Sequence, residues 1–232
     1  MSFSAYSTKG IRSKNEDAYL IIECINGKAL IQYLEHGVKS EFDFEYPGLD
    51  FHLYAISDGM GGLQNGDEAS YLVITGLLDS IESVVQSDDI GASIREMIVR
   101  TSRRVYSNLS GAGGATLVGV LLIKDKLYVF NSGDSTCAVL NNDEVWMTKP
   151  QRNENGLTDR IGKNIDPCPD IDVLHGFDSI ILHTDGADIL GDIYDKGSPD
   201  YDARALCERS VKLGSKDNVS IVIIKKEREH RI

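Results

Sequence analysis

A chain of 232 residues, 41% of them hydrophobic, is long enough for one substantial core and short for two, so residues 1–232 read as a single domain. With 36 acidic against 24 basic residues the net charge is -12, which opposes nonspecific attraction to nucleic acid or anionic lipid, and neither is expected as a partner. No apolar run approaches the ~20 residues of a membrane helix, the opening residues lack the basic-then-apolar pattern of a signal peptide, and Cys24, Cys137, Cys168 and Cys207 form no paired framework; the expectation is a cytoplasmic protein with reduced thiols.

In chain order, residues 17–57 read as strands: 19–25, the turn signal Asn26-Gly27, 28–34, a polar hairpin, then 51–57. Beyond a glycine-rich loop, Ile74, Leu77, Leu78, Ile81, Val84 and Val85 recur at helical spacing, as do Ile90, Ile94, Met97, Ile98, Thr101 and Val105. They predict two successive amphipathic helices whose stripes face a core. Strand patterns return at 115–123, 127–131, 136–140 and 145–148, predicting an antiparallel meander. Residues 149–172 hold three of the five prolines and read as loop with one short helical stretch over 157–161. A strand at 180–183, a helix over 202–213 closed by Gly214, a strand at 219–224 and a charged tail over 225–232 follow. Strands, a helix pair, strands again, then a helix before the last strand predict an α+β fold with mainly antiparallel sheet.

Four acidic pairs stand beside the apolar runs: Glu16-Asp17, Asp58-Gly59, Asp185-Gly186 and Asp217-Asn218. Any one Asp-Gly is an ordinary turn signal. As a set they suggest carboxylates meeting around metal ions. Hard cations such as Mn²⁺ and Mg²⁺ take oxygen ligands and tolerate water in the remaining positions, whereas zinc needs grouped thiolates or imidazoles, which the dispersed cysteines do not offer. An arginine four residues before a carboxylate, as Arg12 is, reads in isolation as a surface ion-pair partner. The run Gly111-Ala112-Gly113-Gly114-Ala115-Thr116 lacks the Lys-Ser/Thr of a nucleotide loop. His52 and His183 lie near strand ends and read as packed or hydrogen-bonded side chains.

Taken together, Arg12-Ser13-Lys14-Asn15-Glu16-Asp17, Asp58-Gly59-Met60-Gly61-Gly62, Gly133-Asp134-Ser135, Thr184-Asp185-Gly186 and Lys216-Asp217-Asn218 resemble, in order and over nearly the whole chain, the metal-dependent serine/threonine protein phosphatases of the 2C type. The resemblance implies a β-sandwich of two mainly antiparallel sheets flanked by pairs of helices, with two Mn²⁺ or Mg²⁺ ions at one end. It implies that Asp58 bridges the ions, that Asp185 and Asp217 complete one, that Glu16 and the Gly59 carbonyl complete the other, and that Asp17 acts from behind them. Arg12 then holds the substrate phosphate, a task suited to its planar fork of donors. The implied reaction is hydrolysis of phosphoserine or phosphothreonine on proteins by a water the two ions activate, in opposition to a kinase, with no protein nucleophile; a Cys-x5-Arg loop is accordingly missing from the sequence.

Three departures stand out. Met60 occupies a position where many members carry a histidine, so another acid, or a water, must protonate the leaving oxygen. Ile189 stands where an aspartate commonly joins Asp134 at a weaker third metal, with Asp188 one residue early; Asp134 is either a ligand of that third ion or a loop-stabilising aspartate. The flap after Thr148 is short, because residues 149–155 lead almost directly into Leu157-Thr158-Asp159-Arg160-Ile161-Gly162. A second reading is a silent relative that keeps the fold as a binding module, which loss of Glu16, Asp58, Asp185 or Asp217 would have favoured. A third, a two-metal nuclease, lacks the basic stripe a polyanion requires.

Overall fold

In the computed structural model of the protein, which describes residues 1–60, 65–142, 144–154, 156–191, 193–194 and 202–226, strand β2 (Asp17–Ile25) shows why its sequence is apolar almost throughout. Ala18, Leu20, Ile22 and Cys24 face a helix pair, while Tyr19 and Ile21 face a second sheet, and both sets are buried. A strand covered on both faces has no solvent side on which to place polar residues. The same division holds in β5 (Phe51–Asp58), where Phe51, Leu53 and Ala55 face the helices and Tyr54 and Ile56 the other sheet.

Twelve strands form two sheets. The larger runs β12 (Asp170–Leu174), β7 (Lys126–Ser132), β6 (Leu117–Ile123), β5, β2, β3 (Lys28–Glu35), β4 (Val38–Glu45). The smaller runs β1 (Ser2–Thr8), β14 (Val219–Lys225), β13 (Ser179–His183), β8 (Thr136–Asn141), β9 (Glu144–Met147). Every neighbouring pair is antiparallel. Helices α1 (Gly66–Val85) and α2 (Ile90–Leu109) cover the larger sheet; α3 (Ala203–Lys212) and a 3-10 helix, Asp185–Leu190, cover the smaller. The result is the expected α+β sandwich, with three apolar layers: helices to sheet, sheet to sheet, and sheet to α3. Asp89 caps α2 by accepting from the Ala92 N–H at 3.0 Å, and Asp202 caps α3 by accepting from the Ala205 N–H at 2.7 Å. Where α1 crosses α2, a Cβ on Gly76 would fall 2.7 Å from Thr101 Oγ1, so the missing side chain lets the two helices approach.

Two expectations need correction. The predicted helix over 157–161 does not form: Gly156–Leu157 is instead strand β11 of a short hairpin with β10 (Arg152–Asn153), and Ile161 bridges Ala115 and Asn164. Leu157 pairs across the hairpin with Arg152 while Ile161 is buried in the core, partners that the four-residue spacing alone cannot reveal. The meander over 115–148 is also split, since β6 and β7 belong to the larger sheet and β8 and β9 to the smaller. The chain changes sheet at Gly133, whose φ of 116° suits glycine. Strands β1, β4 and β12 were not anticipated as strands. Residues 227–232 of the charged tail, Asn155 of the flap, and Gly61 and Gly62 lie outside the described residues.

Candidate metal centre

Strand pairing builds the heart of the site. Asp17 opens β2 directly opposite Asp58, the last residue of β5. Gly59 follows, its N–H donating to the Glu16 carbonyl at 3.1 Å, and a Cβ there would lie 2.1 Å from the Gly66 carbonyl oxygen. Only glycine fits between the two segments. Thr116 fixes Asp58 from the far side: its N–H donates to the Asp58 carbonyl at 2.8 Å and its Oγ1 accepts from the Asp58 N–H at 3.1 Å. Glu16 is held by its backbone, its carbonyl accepting from Ser70 Oγ at 2.6 Å and its N–H donating to Asn218 Oδ1 at 2.8 Å.

Asp185 and Asp217 arrive from the other sheet. Asp185 begins the 3-10 helix just after β13, and Asp217 precedes β14. Gly186 must be glycine because a Cβ would lie 2.0 Å from the Asn218 carbonyl oxygen; that approach brings the two loops together. Glu16, Asp58, Asp134, Asp185 and Asp217 thus line one cleft of about 310 Å³ at the end of the sandwich, together with Arg12.

So many acids in one place raise one another's proton affinity. Burial lifts Asp58 well above the usual carboxylate range, and the charges of Asp17, Asp185, Asp217 and Asp134 add to it. Burial lifts Asp17 to about 7, against the opposing hydrogen bonds from Ser220 and Thr184. Asp185 rises to about 6, through burial and then the charges of Asp134 and Asp217. Glu16 is raised too, by burial and then Asp67. Asp17 Oδ1 and Asp185 Oδ1 are buried without a hydrogen-bond partner. Buried carboxylate oxygens without a partner, beside a cleft lined by Glu16, Asp58, Asp134, Asp185 and Asp217, are the donor set that suits a hard divalent cation, so the residues fit the implied metals. They face a common cleft without closing on one point: among the described residues no three His, Cys, Asp or Glu side chains are drawn together as a finished cage. Asp217 is engaged elsewhere, its Oδ2 accepting from Arg12 Nη2 at 2.7 Å and its Oδ1 from the Asn218 N–H at 2.8 Å.

The other anticipated residues fall at or near the cleft. Arg12 is half-exposed at its rim, where Nε also donates to the Lys216 carbonyl at 2.8 Å. These bonds use two of its five donors. Met60 lines the cleft. Asp134 Oδ2 lies 3.2 Å from Arg152 Nη1 on the shortened flap. Ile189 is 46% exposed, and Asp188 turns toward His183, 3.8 Å from Nδ1. His183 itself is buried and hydrogen-bonded to the Thr184 carbonyl and the Tyr194 hydroxyl.

A profile of protein phosphatase 2C matches residues 27–156, more than half of the sequence. The chain belongs to the protein phosphatase 2C family. The matched span holds Asp58 and Asp134, while Arg12, Glu16, Asp17, Asp185 and Asp217 lie outside it; Asp17 reaches it by pairing with Asp58, and the others line or border the same cleft. Among curated proteins none matches by sequence. Solved structures match over nearly their full length. A bacterial serine phosphatase is 20% identical with a TM-score of 0.77, covering 99% of each chain. Stp1, a serine/threonine phosphatase from Staphylococcus aureus, is 19% identical with a TM-score of 0.74, covering 98% of this chain and 95% of its own. The serine/threonine phosphatase PstP/Ppp of Mycobacterium tuberculosis is 19% identical with a TM-score of 0.72, covering 98% of this chain and 99% of its own. At these identities the likeness is one of architecture.

Further residues, to which the sequence assigned no role, position the acids. Ser220 Oγ and Thr184 Oγ1 both donate to Asp17 Oδ2, at 2.6 and 3.1 Å, and orient it behind the cleft. Asn218 acts as a staple: besides accepting from Glu16, its Nδ2 donates to the carbonyls of Lys9 and Lys14 at 3.1 and 2.9 Å, fixing the loop that carries Arg12. Asn218 and Thr184 stand in the motifs Asp217-Asn218 and Thr184-Asp185-Gly186; Ser220 stands in none. A lone Ser inside a strand carries no signal.

Proposed function

We propose that the protein is a metal-dependent phosphoprotein phosphatase, hydrolysing phosphoserine and phosphothreonine monoesters, with Glu16, Asp58, the Gly59 carbonyl, Asp185 and Asp217 holding two Mn²⁺ or Mg²⁺ ions. The observation that carries this reading is the meeting of those carboxylates, from four distant segments, at a cleft where their charges are not relieved by one another. When bound, such ions acidify a water and neutralise charge on the phosphoryl oxygens.

The protein's own groups do the remaining work in this reading. Asp58 and Asp185 supply carboxylates held rigidly by Thr116 and by the Gly186 turn. Asp17 keeps Thr184 and Ser220 locked across the two sheets and holds negative charge behind the ligands. Arg12 turns its remaining N–H donors toward the phosphoryl oxygens of the bound ester, orienting it for in-line attack. Asp134 is tied to Arg152, and its place at a third ion lacks the second carboxylate, because Ile189 supplies none and Asp188 turns away. The same reading takes the chain as one catalytic domain acting in the cytoplasm on phosphoproteins made by a Ser/Thr kinase. No helix among the described residues is long and apolar enough to cross a membrane.

The test is release of phosphate from phosphoserine and phosphothreonine peptides with Mn²⁺, and again with EDTA. Turnover that survives exhaustive chelation, or no turnover with either ion, overturns the reading.

A further inference from the structure

A second hollow, also of about 310 Å³, adjoins the carboxylate cleft, and Met60 lines both. Its walls are unlike those of the cleft. Arg160 and Lys163 border it, and its floor is the glycine-rich stretch Gly111 to Gly114. A Cβ on Gly114 would sit 3.1 Å from the Ile161 carbonyl oxygen and 3.4 Å from Met60 Cε, so a side chain there would crowd the junction of the two hollows.

Arg160 differs from most of the arginines around it. In a chain of net charge -12, Arg12, Arg100, Arg103, Arg104, Arg152 and Arg204 each pair with a carboxylate. Arg160 is half-buried, yet its hydrogen-bond contact is the Met60 sulfur, 4.0 Å from Nη1. Among the described residues neither Arg160 nor Lys163 forms an ion pair. A half-buried arginine beside a thioether, with an exposed lysine bordering the same hollow, has donors to give and no acid to take them.

We propose that this hollow is a substrate subsite for an anionic group, a carboxylate or a second phosphoryl, carried by the phosphoprotein close to the residue being dephosphorylated. The proposal rests on the phosphatase reading above, and adds a substrate class to it: acidic or multiply phosphorylated segments. Arg160 supplies a fork matching either oxyanion, and Lys163 a second positive charge from the solvent side. The subsite also offsets the repulsion between an acidic peptide and the surrounding negative surface.

The experiment compares phosphoserine peptides of one sequence whose flanking positions carry Ala, Asp, Lys or a non-hydrolysable phosphonate, with p-nitrophenyl phosphate measured alongside in Mn²⁺. The Asp and phosphonate peptides are expected to exceed the Ala peptide roughly fivefold in kcat/KM at low salt, mainly through KM, and the Lys peptide to fall below it. The preference shrinks as salt rises. In R160Q and in K163Q the Asp-to-Ala ratio moves toward one. K163Q, altering an exposed side chain, carries the test if R160Q does not fold. A larger gain for phosphonate than for Asp marks the second phosphoryl as the ligand; equal gains mark the carboxylate. Wild-type turnover of p-nitrophenyl phosphate with no preference among the peptides, or a preference kept in both variants, overturns the subsite alone. Absence of all Mn²⁺-dependent turnover overturns the phosphatase reading and the subsite with it.

Discussion

Replacing Asp17 by Asn is expected to stabilise the metal-free protein at neutral pH while impairing catalysis. The carboxyl is 1% exposed and titrates at about 7 in place of 3.8. Between those values the folded protein retains a proton that the unfolded chain has lost, so stability falls as pH rises through the window and levels off above it. The gap, at about 1.36 kcal/mol per pH unit, amounts to about 4 kcal/mol. Asn carries no charge to desolvate, and its amide meets Ser220 and Thr184 hydroxyls, which can each donate or accept. Urea unfolding in EDTA from pH 4 to pH 8 measures the effect as the difference between wild type and D17N, which includes the relief of Asp58, whose proton affinity the Asp17 charge raises, and cancels groups not coupled to Asp17. His183 is one such group: burial lowers its pKa, so its contribution is lost as pH falls and opposes that of Asp17. The stability difference should shift in favour of D17N by on the order of 4 kcal/mol across the range. A difference that does not change with pH refutes the argument that this carboxylate is buried at a cost.

Asp58→Asn should lower Mn²⁺-dependent turnover of p-nitrophenyl phosphate by on the order of 10³ while leaving the circular dichroism spectrum unchanged; near wild-type turnover contradicts the proposed role of Asp58 as a metal ligand. Arg12→Ala should raise KM by roughly tenfold with a smaller fall in kcat, and an unchanged KM removes Arg12 from phosphate binding. Gly186→Ala forces a methyl to 2.0 Å from the Asn218 carbonyl oxygen and should cost about 3 kcal/mol, lowering Tm by roughly 6–12 °C in calorimetry. An unaltered Tm shows that the two loops are free to part.

The strands with two buried faces were the legible part of the fold, because continuous apolar runs such as 19–25 and 219–224 admit few other readings. Edge strands were not. β1 alternates Ser and Thr with Phe3, Ala5 and Tyr6, and owes its conformation to pairing with β14 more than to its own composition. β4 is exposed along most of its length and looks like a polar hairpin because one of its edges has no partner strand. The helix expected at 157–161 misread two apolar residues four apart that serve different neighbours. At the site, Glu16, Asp58, Asp185 and Asp217 were legible from acidic pairs beside strands. The roles of Thr116, Thr184 and Ser220 were not, since only the register of β2, β5 and β14 brings their hydroxyls to the acids. The pairing of Arg152 with Asp134 depends on the course of the short flap, which loop composition does not encode.

Strand β14 lies between β1 and β13, and Asn218 beside it anchors the loop of Arg12. On the ribosome, β1 therefore waits with an open edge while more than two hundred residues are synthesised, and it joins the five-stranded sheet only when β14, the strand between β1 and β13, emerges. The site is therefore completed late in chain order: Glu16, near its start, is held through a bond to Asn218, 202 residues away, and the loop of Arg12 has no anchor until that asparagine has been made.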